Sequence, residues 1–304
     1  MEFRHLRCFL AVAEELHFAR AAEKLHMEQS PLSRAIKELE EELCVQLFVR
    51  SSRSTRLTLA GKLFLEHVPR IFTSVEQARE SVNAAANGFH GQLRIALSDG
   101  ITPSRLPVLL ARCREEDPEI EIRLFEVPLA QQIKGLHDDL YDAGFSMAED
   151  AGDGILVEPV WDDELMVAVP ARHPVLSHKR IPLEEVLRYP LALGDPAFCE
   201  GHARQVDRFL RQQVQEPLIA QRVATFDLMM ALVSAGLALG LAGAAHIASS
   251  REPNIVGRPL AGTPPMLTTY LLRRDGEPSQ ALARFIERLQ SNGTSQGEAL
   301  NDEK

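Results

Sequence analysis

Gln29-Ser30-Pro31-Leu32-Ser33-Arg34-Ala35-Ile36-Lys37-Glu38-Leu39 is the stretch on which the reading of this chain turns. Leu32, Ile36, Leu39 and Leu43 fall four, three and four residues apart, which lays one apolar stripe along a helix. Ser30, Ser33, Arg34 and Lys37 fall on another face. That face carries short hydroxyls and two cations, groups suited to phosphates and base edges. Pro31 is comfortable only in a first helical turn, so the helix is expected to start just before it. Upstream, Phe18 to Leu25 reads as a second short helix, with Ala21 and Ala22 small enough for a close crossing. His26-Met27-Glu28 separates the two. Helix, short turn and helix with an outward polar face is either an ordinary αα-hairpin or a helix-turn-helix whose second helix enters a major groove.

The residues that follow favour the second reading. Val45 to Val49 and Thr55 to Leu59 are β-prone runs around the tip Arg50-Ser51-Ser52-Arg53-Ser54, which predicts a hairpin wing. No acidic residue occurs between Glu42 and Glu66. A wing bearing Arg50, Arg53 and Arg56 beside such a helix has an electrostatic use on a polyanion. Before them all, a helix from about Phe3 to Leu16 places Leu6, Phe9, Leu10 and Ala13 on one side and is expected to back the pair.

Over about the first sixty residues the chain resembles the LysR-type transcriptional regulators. The resemblance is carried by Leu6-Arg7-Cys8-Phe9, Ala21-Ala22-Glu23-Lys24-Leu25, Gln29-Ser30-Pro31-Leu32-Ser33-Arg34 and Leu39-Glu40-Glu41-Glu42-Leu43. It continues in Gln46-Leu47-Phe48-Val49-Arg50 and Arg56-Leu57-Thr58-Leu59-Ala60-Gly61. Order and spacing match without gaps. Glu28 departs from the family, which usually has Ser or Thr there. A carboxylate still suits the helix N-terminus but would repel a nearby phosphate.

The overall charge of −10 argues against a nucleic-acid partner until its distribution is considered. Residues 1–65 carry ten Lys or Arg against nine Asp or Glu, a net of +1, so the acidity lies elsewhere. Apolar residues at 45% and charged residues at 25% are ordinary for a globular protein, and 304 residues suffice for two or three domains. Cys8, Cys44, Cys113 and Cys199 show no paired spacing, which excludes a zinc finger and suits a reducing cytoplasm. The ten histidines show no metal-ligand spacing, so no metal and no cofactor are expected. No apolar run is long enough for a membrane and no signal-peptide pattern opens the chain, so a cytoplasmic protein is expected.

From Thr58 the pattern changes. Phe64, Val68, Ile71, Val75, Ala78, Val82 and Ala85 alternate four and three residues apart, a coiled-coil seam or one amphipathic helix packed on its own domain. Pro69 should kink this helix, and Asn87-Gly88-Phe89-His90-Gly91 should end it, with Gly88 as its cap. A long helix beside a small head favours dimerisation, and the resemblance agrees. Two linked heads then imply an interrupted palindrome of double-stranded DNA.

Beyond Gly91 strands and helices alternate, which implies parallel βαβ units. The first set has strands 92–97, 120–126 and 143–145 with helices 103–116 and 130–140. The second begins at Leu165–Val169 and has strands 191–193, 219–223 and 239–242 with helices 201–213 and 226–235. The strand 266–272 and helix 279–289 are expected to return to the first set, and the polar tail 291–304 to be disordered. Two α/β lobes with two crossings make a hinge and a cleft. Tyr141-Asp142-Ala143-Gly144-Phe145 and Leu232-Val233-Ser234-Ala235-Gly236-Leu237 also resemble the family's effector domain, though less distinctively. The expected class is α/β: a winged helix-turn-helix (1–58), a long linker helix (59–90), and a two-lobed periplasmic-binding-protein-like effector domain (91–304). Lobe I would comprise 91–161 and 266–290, and lobe II 162–265.

Ligands of open α/β sheets sit beyond the carboxyl ends of the strands. That rule points to Ser98, Asp99, Gly100, Ile101 and Thr102, to Leu129, to Phe198 and His202, and to Thr225 and Phe226. Ser98 and Thr102 are also good helix caps, so part of this set is expected to cap and nothing more. Family members that answer to carboxylates often offer hydroxyls on both sides of the cleft. Here Leu129 and Asp99 stand instead, and a carboxylate at Asp99 would repel an anion. The expectation is a neutral or cationic effector, or a weakly polar aromatic. Cys199 raises a redox reading, since some relatives sense peroxide through a cysteine pair in this region. No second cysteine lies nearby, and a small buried side chain is the simpler reading.

The resemblance implies a ligand-responsive regulator in which Gln29, Ser30, Pro31, Ser33, Arg34 and Lys37 face DNA. Arg50, Arg53 and Arg56 would hold the backbone or enter the minor groove. It further implies a tetramer of two dimers, and leaves contact with RNA polymerase open. An enzyme is the rival class, but no nucleophile elbow, phosphate loop or dinucleotide fingerprint occurs. An exported solute-binding protein would need a signal peptide.

Overall fold

The computed structural model describes residues 1–50, 55–86, 89–100, 105–263 and 265–294, with the side chains of 291–294 excepted. The chain divides into two compact units, Met1–Glu80 and Ser81–Lys304.

The first unit holds α1 (Phe3–Glu15), α2 (Phe18–Lys24), α3 (Gln29–Glu42), the strands β1 (Phe48–Arg50) and β2 (Thr55–Leu57), and the start of α4 (Leu59–Ala86). α3 begins two residues before Pro31, where a missing N–H costs nothing. His26 takes a left-handed φ of 54°, which turns the chain between α2 and α3. Ala21 and Ala22 are buried at the crossing. Leu32, Ile36 and Leu39 are fully buried with Phe9, whose ring meets Phe48 at 5.4 Å and Phe64 at 4.9 Å. Burying each such side chain stabilises the unit by about 1.5–3 kcal/mol. β1 and β2 pair antiparallel, Val49 opposite Arg56, as the wing.

α4 departs from the expected single seam. Phe64, Val68 and Ile71 pack into the core of the first unit, with Val68 fully buried. Only beyond them do Val75 and Val82 stand exposed, at 43% and 69%. Ala84 is buried and Ala85 is not. The helix runs through Pro69 unbroken. Gly88, the expected cap, lies outside the described residues, as do residues 295–304 of the expected tail; residues 291–294, expected to be disordered, instead continue the last helix.

The second unit begins with β3 (Gly91–Leu97), α5 (Arg105–Glu116), β4 (Ile120–Glu126), α6 (Leu129–His137), β5 (Ala143–Ser146) and β6 (Ile155–Pro170). It continues with a 3-10 turn (Pro174–Ser177), α7 (Leu183–Val186), β7 (Leu191–Gly194), α8 (Glu200–Leu210), β8 (Ile219–Val223) and α9 (Phe226–Ser234). β9 (Leu239–Gly243), α10 (Ala244–Ser249), β10 (Ile255–Pro259), β11 (Met266–Arg274) and α11 (Gln280–Thr294) complete it. The strand order is β4-β3-β5-β11-β6-β9-β7-β8, with β10 also on β6. β3, β4 and β5 are mutually parallel in one lobe, and β7, β8 and β9 in the other. β6 and β11 run antiparallel to their neighbours and join the lobes.

The expected strand at Leu165–Val169 is the second half of β6. Its first half was hidden because Pro159 and the run Asp162-Asp163-Glu164 are poor strand formers. Pairing with β11 holds it extended, with a register shift at Thr269/Tyr270 opposite Pro159. α7, α10 and β10 were not anticipated. Arg94 and Asp142 lock β3 to the entry of β5 through a two-pronged ion pair, at 2.8 and 3.1 Å.

Candidate nucleic-acid interface and ligand cavity

Because α3 turns Leu32, Ile36 and Leu39 inward, Gln29, Ser30, Pro31, Arg34 and Lys37 are exposed and Ser33 half-buried. Glu28 holds the N-cap position, but its side chain makes no capping bond. Lys37 lies 3.4 Å from Glu41 one turn on, an exposed pair that leaves the ammonium free to exchange partners.

The wing arginines divide. Successive strand residues point to opposite faces, so Arg50 shares the face of buried Phe48 while Arg56 shares that of exposed Val49. The Arg50 guanidinium stacks 4.4 Å over the Phe18 ring and lies 3.6 Å from Glu40. Arg50 is therefore anchored to its own unit, whereas Arg56 is exposed. Arg53 lies outside the described residues. Glu40, which the sequence reading passed over, accepts from the backbone N–H of Leu47 at 2.8 Å and Phe48 at 3.0 Å. It ties α3 to the wing.

In the second unit a cavity of about 660 Å³ opens beyond the carboxyl ends of β3, β4, β7 and β8. Ser98, Asp99, Gly100, Phe198, Thr225 and Phe226 line it. So do Glu126, Asp227 and His246, which the sequence reading missed. His246 comes from α10, beyond the end of β9, where the strand-end rule would have found it had α10 been recognised. Ile101 and Thr102 lie outside the described residues.

Two expected lining residues belong to the core. Leu129 is 4% exposed and packs with Leu136, Ile155 and Leu272 on the far side of α6. His202 is fully buried behind Phe226, their rings edge to face at 4.8 Å. Thr225 caps α9, its hydroxyl accepting from the Leu228 N–H at 3.2 Å.

Asp99 also departs from expectation, since its carboxylate does not stand free in the cleft. It is 2% exposed, and both oxygens are engaged. Oδ2 accepts from the Ser146 hydroxyl at 2.6 Å, the Met147 N–H at 3.0 Å and the Ser98 hydroxyl at 3.2 Å. Oδ1 accepts from the Gly201 N–H at 2.7 Å and the His202 N–H at 3.4 Å. Asp99 thus belongs to the β3 lobe and caps α8 of the other. Gly201 permits the approach: a Cβ there would sit 2.5 Å from the Ala148 N and 2.6 Å from Asp99. Buried Gln132 completes the cluster, its amide donating to the Ala96 and Phe145 carbonyls and its oxygen sharing the single Ser98 hydroxyl proton with Asp99.

Around Phe226 stand two histidines without charge at neutral pH. Burial pushes His202 down to about 4 against the pull of Asp99. It pushes His246, stacked on Phe226 at 4.2 Å, down to about 4 against a hydrogen bond to the Gly100 backbone and the charge of Asp227. The Cys199 thiol is buried, donates to the Ala224 carbonyl at 3.3 Å, and is pushed up to about 11 by burial and nearby carboxylates. Its four cysteines are all unpaired. Such a thiol is a poor nucleophile, and it sits as the small buried side chain of the simpler reading.

A winged helix-turn-helix with an outward polar recognition face, followed by a two-lobed α/β unit with a cavity between its lobes, defines a ligand-responsive DNA-binding regulator. Residues 3–62 match the model of the bacterial regulatory helix-turn-helix protein, lysR family, and residues 86–294 that of the LysR substrate binding domain. The chain belongs to the LysR family of transcriptional regulators. It is 32% identical to the regulator AlsR of Bacillus subtilis over 79% of each chain. It is 31% identical to the Hca operon transcriptional activator HcaR of Escherichia coli over 94% of this chain and 96% of that one. Full-length CbnR solved with its target DNA superposes with a TM-score of 0.73 at 30% identity, covering 96% of this chain and 99% of the other. No described helix is long and apolar enough to cross a membrane.

Proposed function

We propose that this regulator reads an interrupted palindrome through Gln29, Ser33 and Arg34, with Ser30, Pro31 and Lys37 against the backbone. Arg56 and Arg53 hold the flanking phosphates or enter the minor groove, and Arg50 acts by fixing the wing. The functional parts are a DNA-binding head (1–58), a linker helix that pairs two chains (59–90) and an effector domain (91–304), assembled as a tetramer of two dimers in the cytoplasm. Contact with RNA polymerase is the route by which a bound regulator would act on transcription. The chain works by binding and not by catalysis. A small molecule seated against Ser98, Gly100, Phe198, Thr225 and Phe226 shifts the population between lobe arrangements, and with it the spacing or bend of the operator.

The observation that carries the reading is the exposed polar face of α3 set on three fully buried residues. Gel shift against the DNA upstream of the protein's own gene tests it. Arg34→Ala should cost about 1–3 kcal/mol of specific affinity, the worth of one two-pronged base contact. Arg53→Ala or Arg56→Ala should weaken all sequences alike and flatten the salt dependence by about one ion. Unchanged operator affinity in Arg34→Ala would remove the base-reading role.

A further inference from the structure

The cavity carries charge of one sign only. Asp99, Glu126 and Asp227 line it, and no Lys or Arg does so among the described residues. Glu126 and Asp227 are exposed, and neither is held in a hydrogen bond or ion pair among those residues. Phe226 and Phe198 supply apolar faces, Phe198 at 55% exposure.

His246 points the same way. It lines the cavity at 7% exposure, and its Nδ1 is buried with no partner among the described residues. Its ring is neutral and engages the Gly100 backbone, which Nε2 adjoins. A neutral imidazole that donates through Nε2 keeps a lone pair on Nδ1. A neutral ring at this place adds no positive charge that would hold an anion or repel an ammonium.

Asp99 accounts for the anion side. The Gly201, His202 and Met147 N–H groups and the Ser98 and Ser146 hydroxyls converge on one point, the arrangement that receives a carboxylate at a helix N-terminus. The chain fills that point with a carboxylate of its own.

Resting on the effector role proposed above, we infer that the cavity selects a small organic cation with an apolar body, and that Asp99 is the residue that closes it to carboxylates. The ammonium meets the carboxylates of Glu126 and Asp227, and its apolar body lies along Phe198 and the exposed part of Phe226. Opposed charge gives selectivity as well as affinity, because an anion would meet the carboxylates of Glu126 and Asp227 and no Lys or Arg among the described lining residues.

A matched set tests this on the full-length protein: phenethylammonium, 2-phenylethanol and phenylacetate share one ring and differ in charge. Binding is read by calorimetry and by the shift in melting temperature. Phenethylammonium should bind at least about tenfold tighter than phenylacetate. Glu126→Gln and Asp227→Asn, both on exposed side chains, should each weaken it about two- to fivefold. Asp99→Gly suits the left-handed φ of 62° and should gain phenylacetate binding, with acetate alone raising its melting temperature. Equal response of the unaltered protein to all three compounds, none included, or a preference for phenylacetate, overturns the inference. Insensitivity to both carboxylate substitutions does the same. Should Asp99→Gly not fold, the panel on the unaltered protein decides alone. Gel shift is a separate readout: a protein that selects the cation but ignores operator DNA keeps this inference and loses the proposed function.

Discussion

A polar side chain survives burial only when something answers it, and Asp99, His202 and His246 show two solutions. Asp99 meets N–H and O–H donors on both of its oxygens. The histidines give up their charge. In the unfolded chain each histidine binds a proton near pH 6.5, and in the folded chain only near 4. Between those values the unfolded state holds more protons, so stability rises with pH there. It is complete above about pH 6.5 and lost as pH falls, by about 1.4 kcal/mol per histidine per unit below the unfolded value. Urea midpoints at pH 5 and pH 7.5 should differ accordingly, and His202→Leu should flatten the difference in part, since His246 and His173, whose pKa burial also lowers, still contribute. An unchanged slope in that variant would mean His202 is charged in the fold. These roles were only partly legible in the sequence. Leu32, Ile36 and Leu39 show their burial through spacing alone. The partners of Asp99 lie as far as 103 residues away, at His202, so its residue type signalled a carboxylate at the cleft but not what it holds.

Elements owe their existence to local pattern and their placement to distant contacts. α3 could be read because period, proline position and turn agree. β6 could not, because its first half is extended by pairing with β11, more than a hundred positions on. The wing was visible as two short runs, but its attachment was not. That attachment is Glu40, whose carboxylate satisfies two N–H groups of the wing's entry. Glu40→Ala leaves both without their acceptor and frees Arg50. It should cost about 2–3 kcal/mol in denaturant melts, and operator affinity should fall with α3 itself intact. A melt unchanged within about 0.5 kcal/mol would show that water replaces the carboxylate. α4 makes a parallel case. Three of the seven residues in its apolar series are core of the first unit, and Val75 and Val82 are the exposed large side chains of that series left for a second chain. If the proposed pairing uses them, Val82→Asp should shift sedimentation toward single chains and weaken operator binding more than hundredfold, since half-site avidity is lost. A variant that stays assembled would move the dimer contact elsewhere.

At the scale of the whole molecule, charge and linkage set what control can achieve. The first 65 residues are close to neutral and the remainder strongly acidic. If non-specific attraction to DNA rests on the few cations proposed above, Arg34, Lys37 and Arg56 among them, its salt dependence should be shallow, about one ion for each phosphate they neutralise. Against that modest background a small coupling matters. A ligand that shifts operator affinity tenfold transmits about 1.4 kcal/mol, and by reciprocity the operator must shift the ligand's own affinity tenfold in the same direction. Calorimetric titration of whichever matched compound stabilises the protein, with and without saturating operator DNA, measures that factor directly. It should equal the factor by which the same compound moves the gel-shift midpoint. A compound that alters the footprint yet binds free and DNA-bound protein equally cannot act by shifting this equilibrium. That result would place control outside the cavity, in assembly or in a contact with polymerase.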